Sequence, residues 1–383
     1  MALKVSRRGD VPAFIVMDVM EAAGRLEDAG EDVLHLEVGQ PSTPAPKGVL
    51  EAARKALDED RIGYTLAAGL PPLRERIAQH YKSWYGVSLD PSRIMVTTGS
   101  SGAFQIAFLA AFDVGDRVAM ASPGYPAYRN ILSALGVEPV LLETEREHRY
   151  QPTPALLDAV EGELDGLIIA SPSNPTGTML GEEEMAALTR YCREKGIRLV
   201  SDEIYNGIDF GIRSVSALES DDQAIVINSF SKYFCMTGWR LGWMVVPDDL
   251  ALSMERLAQN LFISPPTLSQ FAGMAAFDCE EELRANVARY ARNREVLLNE
   301  LPAAGLDELA PADGSFYIYA DVSRFTNDSV DFCKRMLNEI GVAATPGMDF
   351  DPARGHRSLR FSFAGSTADM VEASSRLKGW LKR

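Results

Sequence analysis

Residues 166–203 read GLIIASPSNPTGTMLGEEEMAALTRYCREKGIRLVSDE. A short β-branched run, 166–170, stops at Ser171-Pro172-Ser173-Asn174-Pro175, and a second, 197–201, stops at Asp202-Glu203. Two such runs joined by a longer helical segment are a βαβ unit, whose strands lie parallel and whose helix covers a sheet face. Working outward, the same alternation predicts strands at 94–97, 117–120, 224–228 and 243–246. Several end in polar or glycine-containing turns: Gly99-Ser100-Ser101-Gly102, Ser173-Asn174-Pro175, Asp202-Glu203 and Ser229-Phe230-Ser231-Lys232. Ligands of open α/β sheets gather at those carboxyl ends.

Beyond residue 280 the pattern changes to a long charged helix, 280–301, then strands at 315–321 and 358–363 around a helix at 330–340, which reads as a second, α+β domain. At the other end, residues 14–29 place Val16, Val19, Met20, Ala23 and Leu26 at helical spacing, and 33–38 reads as a strand ending at Gly39. The proline-rich crossing 41–46 separates this segment from the main domain. The division expected is a large domain at 45–282 and a smaller discontinuous one made of 1–44 and 283–383.

Composition removes several classes of function. The 383 residues carry a net charge of −16, whereas a phosphate-backbone binder needs a basic surface, so nucleic acid is not expected as a partner. No apolar run approaches the length of a membrane helix, and Ser6-Arg7-Arg8 is followed by Gly9, Asp10 and Pro12 rather than an apolar leader. A cytoplasmic protein is expected. Four scattered cysteines and four histidines form no metal-binding spacing, so no metal is expected.

The chemistry concentrates at the strand ends. Lys232 lies between the apolar strand Ile225-Val226-Ile227 and Tyr233-Phe234-Cys235-Met236, where desolvation favours the neutral, nucleophilic amine. The plainer alternative is a lysine snorkelling from the sheet edge. Ser229 and Arg240 flank it with a hydroxyl and a planar guanidinium suited to one phosphate. Gly99-Ser100-Ser101-Gly102 precedes an apolar helix and offers amides to an anion, or an ordinary N-cap at Ser100 or Ser101. Asp202 is either a helix N-cap or a carboxylate facing a cation such as a pyridinium. Arg360 shares a strand face with Ser358 and Ser362, which leaves room for a ligand but equally suits a solvent-facing edge strand.

Taken together, Ser171-Pro172-Ser173-Asn174-Pro175-Thr176-Gly177, Ser201-Asp202-Glu203-Ile204-Tyr205, and Ser229-Phe230-Ser231-Lys232 with Thr237-Gly238-Trp239-Arg240 resemble the fold-type I pyridoxal-phosphate aminotransferases, class I/II. The resemblance runs from Gly39-Gln40-Pro41 to Arg360. It implies a mostly parallel seven-stranded α/β sheet flanked by helices, with a smaller discontinuous α+β domain. It makes Lys232 the Schiff-base lysine, Asp202 the partner of the pyridine nitrogen, and Asn174 and Tyr205 partners of the ring oxygen, with Lys232, Asp202 and Tyr205 the catalytic set. Ser229, Arg240, Ser100 and Ser101 hold the phosphate, and Tyr125 stacks on the ring. Tyr64 reaches the phosphate of the neighbouring subunit, which implies a homodimer with shared sites. Arg360 clamps the substrate carboxylate beside Gly39 and Asn174. The implied activity is ping-pong transfer of an amino group from an L-amino acid to a 2-oxo acid, with 2-oxoglutarate expected as acceptor. β-Eliminating lyases and decarboxylases share the scaffold, as does an effector-sensing domain, although the forty residues ahead of it are too few and too acidic for a DNA-binding unit.

Overall fold

A computed structural model describes residues 3–382. Its main sheet has seven strands, in the spatial order Ile94–Thr97, Gly242–Val245, Ile225–Ser229, Arg198–Asp202, Gly166–Ala170, Arg117–Ser122 and Glu138–Glu143. The last five run parallel, and Gly242–Val245 is antiparallel to both its neighbours.

Both faces of this sheet are covered, so its strands read as continuous apolar runs rather than as alternating ones. The pleat still divides them. Leu167, Ile169, Leu199 and Val226 enter one core, whereas Ile168, Val200, Ile225 and Ile227 enter the other. The first of these cores continues into the C-terminal part of the chain through Phe316, Ile318, Leu359 and Phe361. The strand Glu138–Glu143 escapes the apolar-run criterion because Pro139 removes a ladder donor and half its residues face water; proline is tolerated there because the strand lies at the edge and pairs only with Arg117–Ser122.

The C-terminal part carries an antiparallel three-stranded sheet in which Ser358–Ser362 lies between Thr345–Pro346 and Tyr317–Asp321. The N-terminal segment joins it: Leu34–His35, shorter than the strand expected at 33–38, pairs in parallel with Val342–Ala343. Two expected ends move by one residue, with functional effect. The strands close at Asp202 and Ser229, so both side chains belong to the sheet rather than to the turns beyond it.

Because the sheet interior is packed on both faces, truncation there leaves a cavity, whereas truncation at the edge does not. Ile227→Ala, at a residue with no exposed surface, is expected to lower stability by about 2–5 kcal/mol. Leu141→Ala, on the edge strand and 38% exposed, is expected to cost under about 1 kcal/mol. Denaturant unfolding followed by circular dichroism measures both, and equal midpoints would refute this account of the core.

Candidate active site

The carboxyl ends of four main-sheet strands, Ile94–Thr97, Gly166–Ala170, Arg198–Asp202 and Ile225–Ser229, lead to one cavity of about 500 Å³. Its charged lining residues are Asp202, Lys232, Arg240 and Arg360, and Ser100, Ser101, Tyr125, Asn174, Tyr205 and Gly39 share the wall. Among the expected site residues only Ser229 and Tyr64 are absent from it.

Asp202 ends its strand with 3% of its surface exposed. Burial pushes its acid up to about 6, against the Tyr128 hydroxyl and the Ile204 N–H (3.1 Å), which both donate to the carboxylate. It therefore remains largely ionised at neutral pH. No helix follows within hydrogen-bonding reach, so the N-cap reading gives way to a local turn closed on Ile204. Tyr128 escaped the sequence reading. It sits three residues beyond Tyr125, in the first turn of the helix Pro126–Leu135, and that spacing puts both rings on one face, 5.3 Å apart.

The Lys232 Nζ donates to the Gly39 carbonyl at 2.6 Å and lies 5.6 Å from the centre of the Tyr205 ring. Burial, then the Arg360 charge, lowers its amine to about 8, with Asp202 acting in the opposite sense. A substantial neutral fraction thus exists near neutral pH, as nucleophilic attack on a carbonyl requires. Tyr205 bonds the Tyr317 hydroxyl at 2.7 Å, and burial keeps both phenols protonated.

Arg360 corrects the edge-strand reading. Its strand is the central one of three, its surface is 4% exposed, and its guanidinium lies 4.3 Å from the Tyr317 ring centre and 4.8 Å from that of Phe350. One terminal nitrogen donates to Asn174 Oδ1 at 2.9 Å and the other to Thr345 Oγ1 at 3.1 Å and to the Glu37 carbonyl. Its Nε is buried with no partner among the described residues, the state expected of a donor kept for a ligand.

At the opposite end, Gly99-Ser100-Ser101 forms the first turn of the helix Gly99–Ala111 rather than a loop, and no side chain caps it. The N-cap reading of Ser100 and Ser101 therefore fails, and the first amides are left for an anion. Gly99 has φ +67°, and a Cβ there would sit 2.5 Å from an Arg240 terminal nitrogen. The glycine is what lets the guanidinium approach the helix end. Ser231 rather than Ser229 lines the cavity; Ser229 stands behind it, 1% exposed, its hydroxyl 2.9 Å from Ser231 Oγ. Tyr64 is 85% exposed and lies away from the cavity of its own chain.

An uncapped helix end with Arg240 suits a phosphate, a carboxylate suits a protonated ring nitrogen, and a depressed lysine suits an aldehyde. The model of "aminotransferase class I and II" matches residues 31–377. The chain belongs to the class I and II aminotransferases. A valine–pyruvate aminotransferase of Mycobacterium tuberculosis is 49% identical over 99% of this chain and 98% of its own, and an aspartate/prephenate aminotransferase of Thermus thermophilus is 35% identical over 94% and 93%. The crystal structure of an aminotransferase from Mycobacterium tuberculosis superposes with a TM-score of 0.98 at 48% identity over the whole of both chains. The aspartate aminotransferase of Thermus thermophilus with maleate does so at 0.92 and 33%, over 99% of this chain and 100% of that one. This aminotransferase is a pyridoxal-phosphate-dependent transaminase acting on an amino acid and a 2-oxo acid. Among the described residues no helix is long and apolar enough to cross a membrane.

The lowered amine has a direct readout. In the cofactor-free enzyme, the rate at which Lys232 reacts with formaldehyde and borohydride is expected to rise through a midpoint near pH 8, because only the neutral amine attacks. Peptide mapping across a pH series tests this, and a midpoint near the ordinary lysine value would refute it.

Proposed function

We propose that Lys232 is the lysine joined to the cofactor, that Asp202 holds the proton on the pyridine nitrogen, and that Arg360 binds the α-carboxylate of the amino acid. The convergence of these three charges in one cavity carries the reading. Pyridoxal phosphate supplies an aldehyde for the amino group and a pyridinium ring that takes up the electron pair left when the Cα–H bond breaks. Lys232 Nζ, partly neutral near neutral pH, would serve as the base that takes up and carries the proton released from the substrate Cα. Asn174 and Tyr205 donate to the ring oxygen, and Tyr125 covers the ring. The Ser100 and Ser101 amides and Arg240 receive the phosphate, with Ser229 acting through Ser231. Gly39 closes the carboxylate end beside Asn174 and Arg360.

The assembly belongs to the same reading. Tyr64 serves the phosphate of the neighbouring subunit in a homodimer, which is supported by its exposure and its distance from its own chain's cavity. The division into 45–282 and a discontinuous partner of 1–44 with 283–383 is supported by the pairing of Leu34–His35 with Val342–Ala343. Four free cysteines suit a reducing cytoplasm. For the second substrate, 2-oxoglutarate is the acceptor the resemblance suggests, whereas the name of the Mycobacterium tuberculosis relative favours a small aliphatic amino acid with pyruvate.

Arg360→Ala is expected to lose kcat/KM for an amino acid by at least about a hundredfold while the corresponding decarboxylated amine, poor in both proteins, changes little. Arg360→Lys keeps the charge without the fork and should fall between the two. Steady-state kinetics on acid and amine test the assignment; equal discrimination in wild type and Arg360→Ala would refute it. For the dimer, Tyr64→Phe subunits mixed with Lys232→Ala subunits should regain activity at a cofactor concentration too low for either parent. One site of the mixed dimer then holds both intact residues. Proven subunit exchange without recovery would exclude shared sites.

A further inference from the structure

One wall of the cavity has no part in the roles assigned above. The helix Ile15–Asp28 buries Ala23 and packs Val19, Ala22 and Leu26 against Leu337 and Ala343. Met20, expected in that same stripe from its spacing, lies outside it, and so does Met17. Both line the cavity, and with 58% and 37% of their surfaces exposed Met17 and Met20 present two thioethers to whatever occupies it.

The helix is held in a fixed place relative to Arg360. The residue ahead of it, Phe14, provides no capping side chain; instead the buried Asp349 accepts from the Ile15 N–H at 3.1 Å and from the Val16 N–H at 3.4 Å. The turn that carries Asp349 is tied on its other side. Arg129 donates to the Asp349 carbonyl at 2.7 Å, Gly124 N donates to the Phe350 carbonyl at 3.1 Å, and the Phe350 ring packs on the Arg360 guanidinium. One turn thus sets the methionines, the guanidinium and the segment leading to Tyr125 in a common frame.

The charges of the wall are then accounted for. Its cations are Lys232, Arg240 and Arg360, and on the reading above each already has a partner in the cofactor or the α-carboxylate. A second substrate carboxylate would meet thioethers and no cation, an unpaired charge that is costly to desolvate. The segment that bears Tyr64 offers Arg61, but that guanidinium stacks 4.5 Å over the Phe271 ring and pairs with Glu59 at 3.3 Å.

We propose that Met17 and Met20 are specificity-determining residues that read the amino-acid side chain and restrict the enzyme to uncharged aliphatic L-amino acids and their 2-oxo acids, with Asp349 the positioning residue that holds them. The proposal rests on the roles given to Lys232, Arg240 and Arg360, and it places 2-oxoglutarate and glutamate among the poor substrates.

The test is a set of single-turnover half-reactions of the holoenzyme, followed by its cofactor absorbance, with L-alanine, L-2-aminobutyrate, L-norvaline, L-norleucine, L-aspartate and L-glutamate. Rate over apparent Kd is expected to rise about threefold to fourfold with each methylene until the face is covered. Aspartate and glutamate should stand at least about a hundredfold below norvaline. Titration calorimetry adds a readout free of turnover, in which 4-methylpentanoate binds the holoenzyme at least about tenfold more tightly than succinate. In the double variant Met17→Ala/Met20→Ala the norvaline-to-alanine ratio should fall about tenfold. Asp349→Ala should lower the same ratio through apparent Kd rather than through the saturating rate, and Asp349→Asn, which keeps an acceptor for the helix, should restore it. A wild type that prefers aspartate, or a ratio that the methionine substitutions leave in place, overturns the proposal; the wild-type series decides even if a variant does not fold. Failure of the underlying reading looks different: no amino acid, alanine included, converts the cofactor.

Discussion

A lysine amine, a carboxylate and a guanidinium confined in one cavity repel or attract according to protonation state, and each loses hydration on burial at a cost of several kcal/mol unless something replaces the water. The architecture is arranged around that constraint. Asp202 keeps its charge because Tyr128 and the Ile204 amide donate to it, although burial still lifts it to about 6. Arg360 exchanges its water for Asn174, Thr345, the Glu37 carbonyl and two aromatic faces. Lys232 has the weakest support, one carbonyl, and responds by giving up part of its charge, which lowers it to about 8. Reactivity follows from under-solvation of that one group while its neighbours remain ionised.

Parallel strands make the arrangement possible. Their carboxyl ends face the same way, so residues far apart in the chain, such as Gly99, Asn174, Asp202 and Lys232, arrive at one edge without a long loop. The remaining wall comes from the other part of the chain. Arg360 lies on a strand of the three-stranded sheet, and the turn Gly347–Asp349 ties that sheet to the helix Ile15–Asp28 and to the segment around Tyr125. The cavity is therefore built between the two sheets, and the spacing between its phosphate end and its carboxylate end depends on how they pack.

Much of this was legible locally. Lys232 and Asp202 sit at the ends of strongly apolar strands, where a charged residue is conspicuous, and the runs that mark those strands were placed to within a residue or two. Where local reading failed, the competing explanation was also local. Ser100 and Ser101 have the chemistry of helix caps, and only the helix boundary, at Gly99 and thus ahead of the apolar run, turns them into amide donors. Met20 has the spacing of a core residue; the path of the helix past the C-terminal sheet sends it to the cavity instead. Ser229 and Ser231 both suit a phosphate, and the one-residue extension of the strand keeps the first behind the cavity wall and leaves the second on it.

The order of apolar runs and polar turns along the chain determined the α/β class, the parallel sheet and the residues able to do covalent and acid–base chemistry, because strand periodicity and the cost of burying charge act over a few residues. Which groups touch was decided only by the tertiary structure. Tyr128 meets Asp202 across 74 residues, Arg360 meets Asn174 across 186, and Asp349 caps a helix 334 residues away. Contacts of that range carry no periodic signature in the chain, since the packing of one body of structure on another, and not local backbone preference, sets the distance between the side chains.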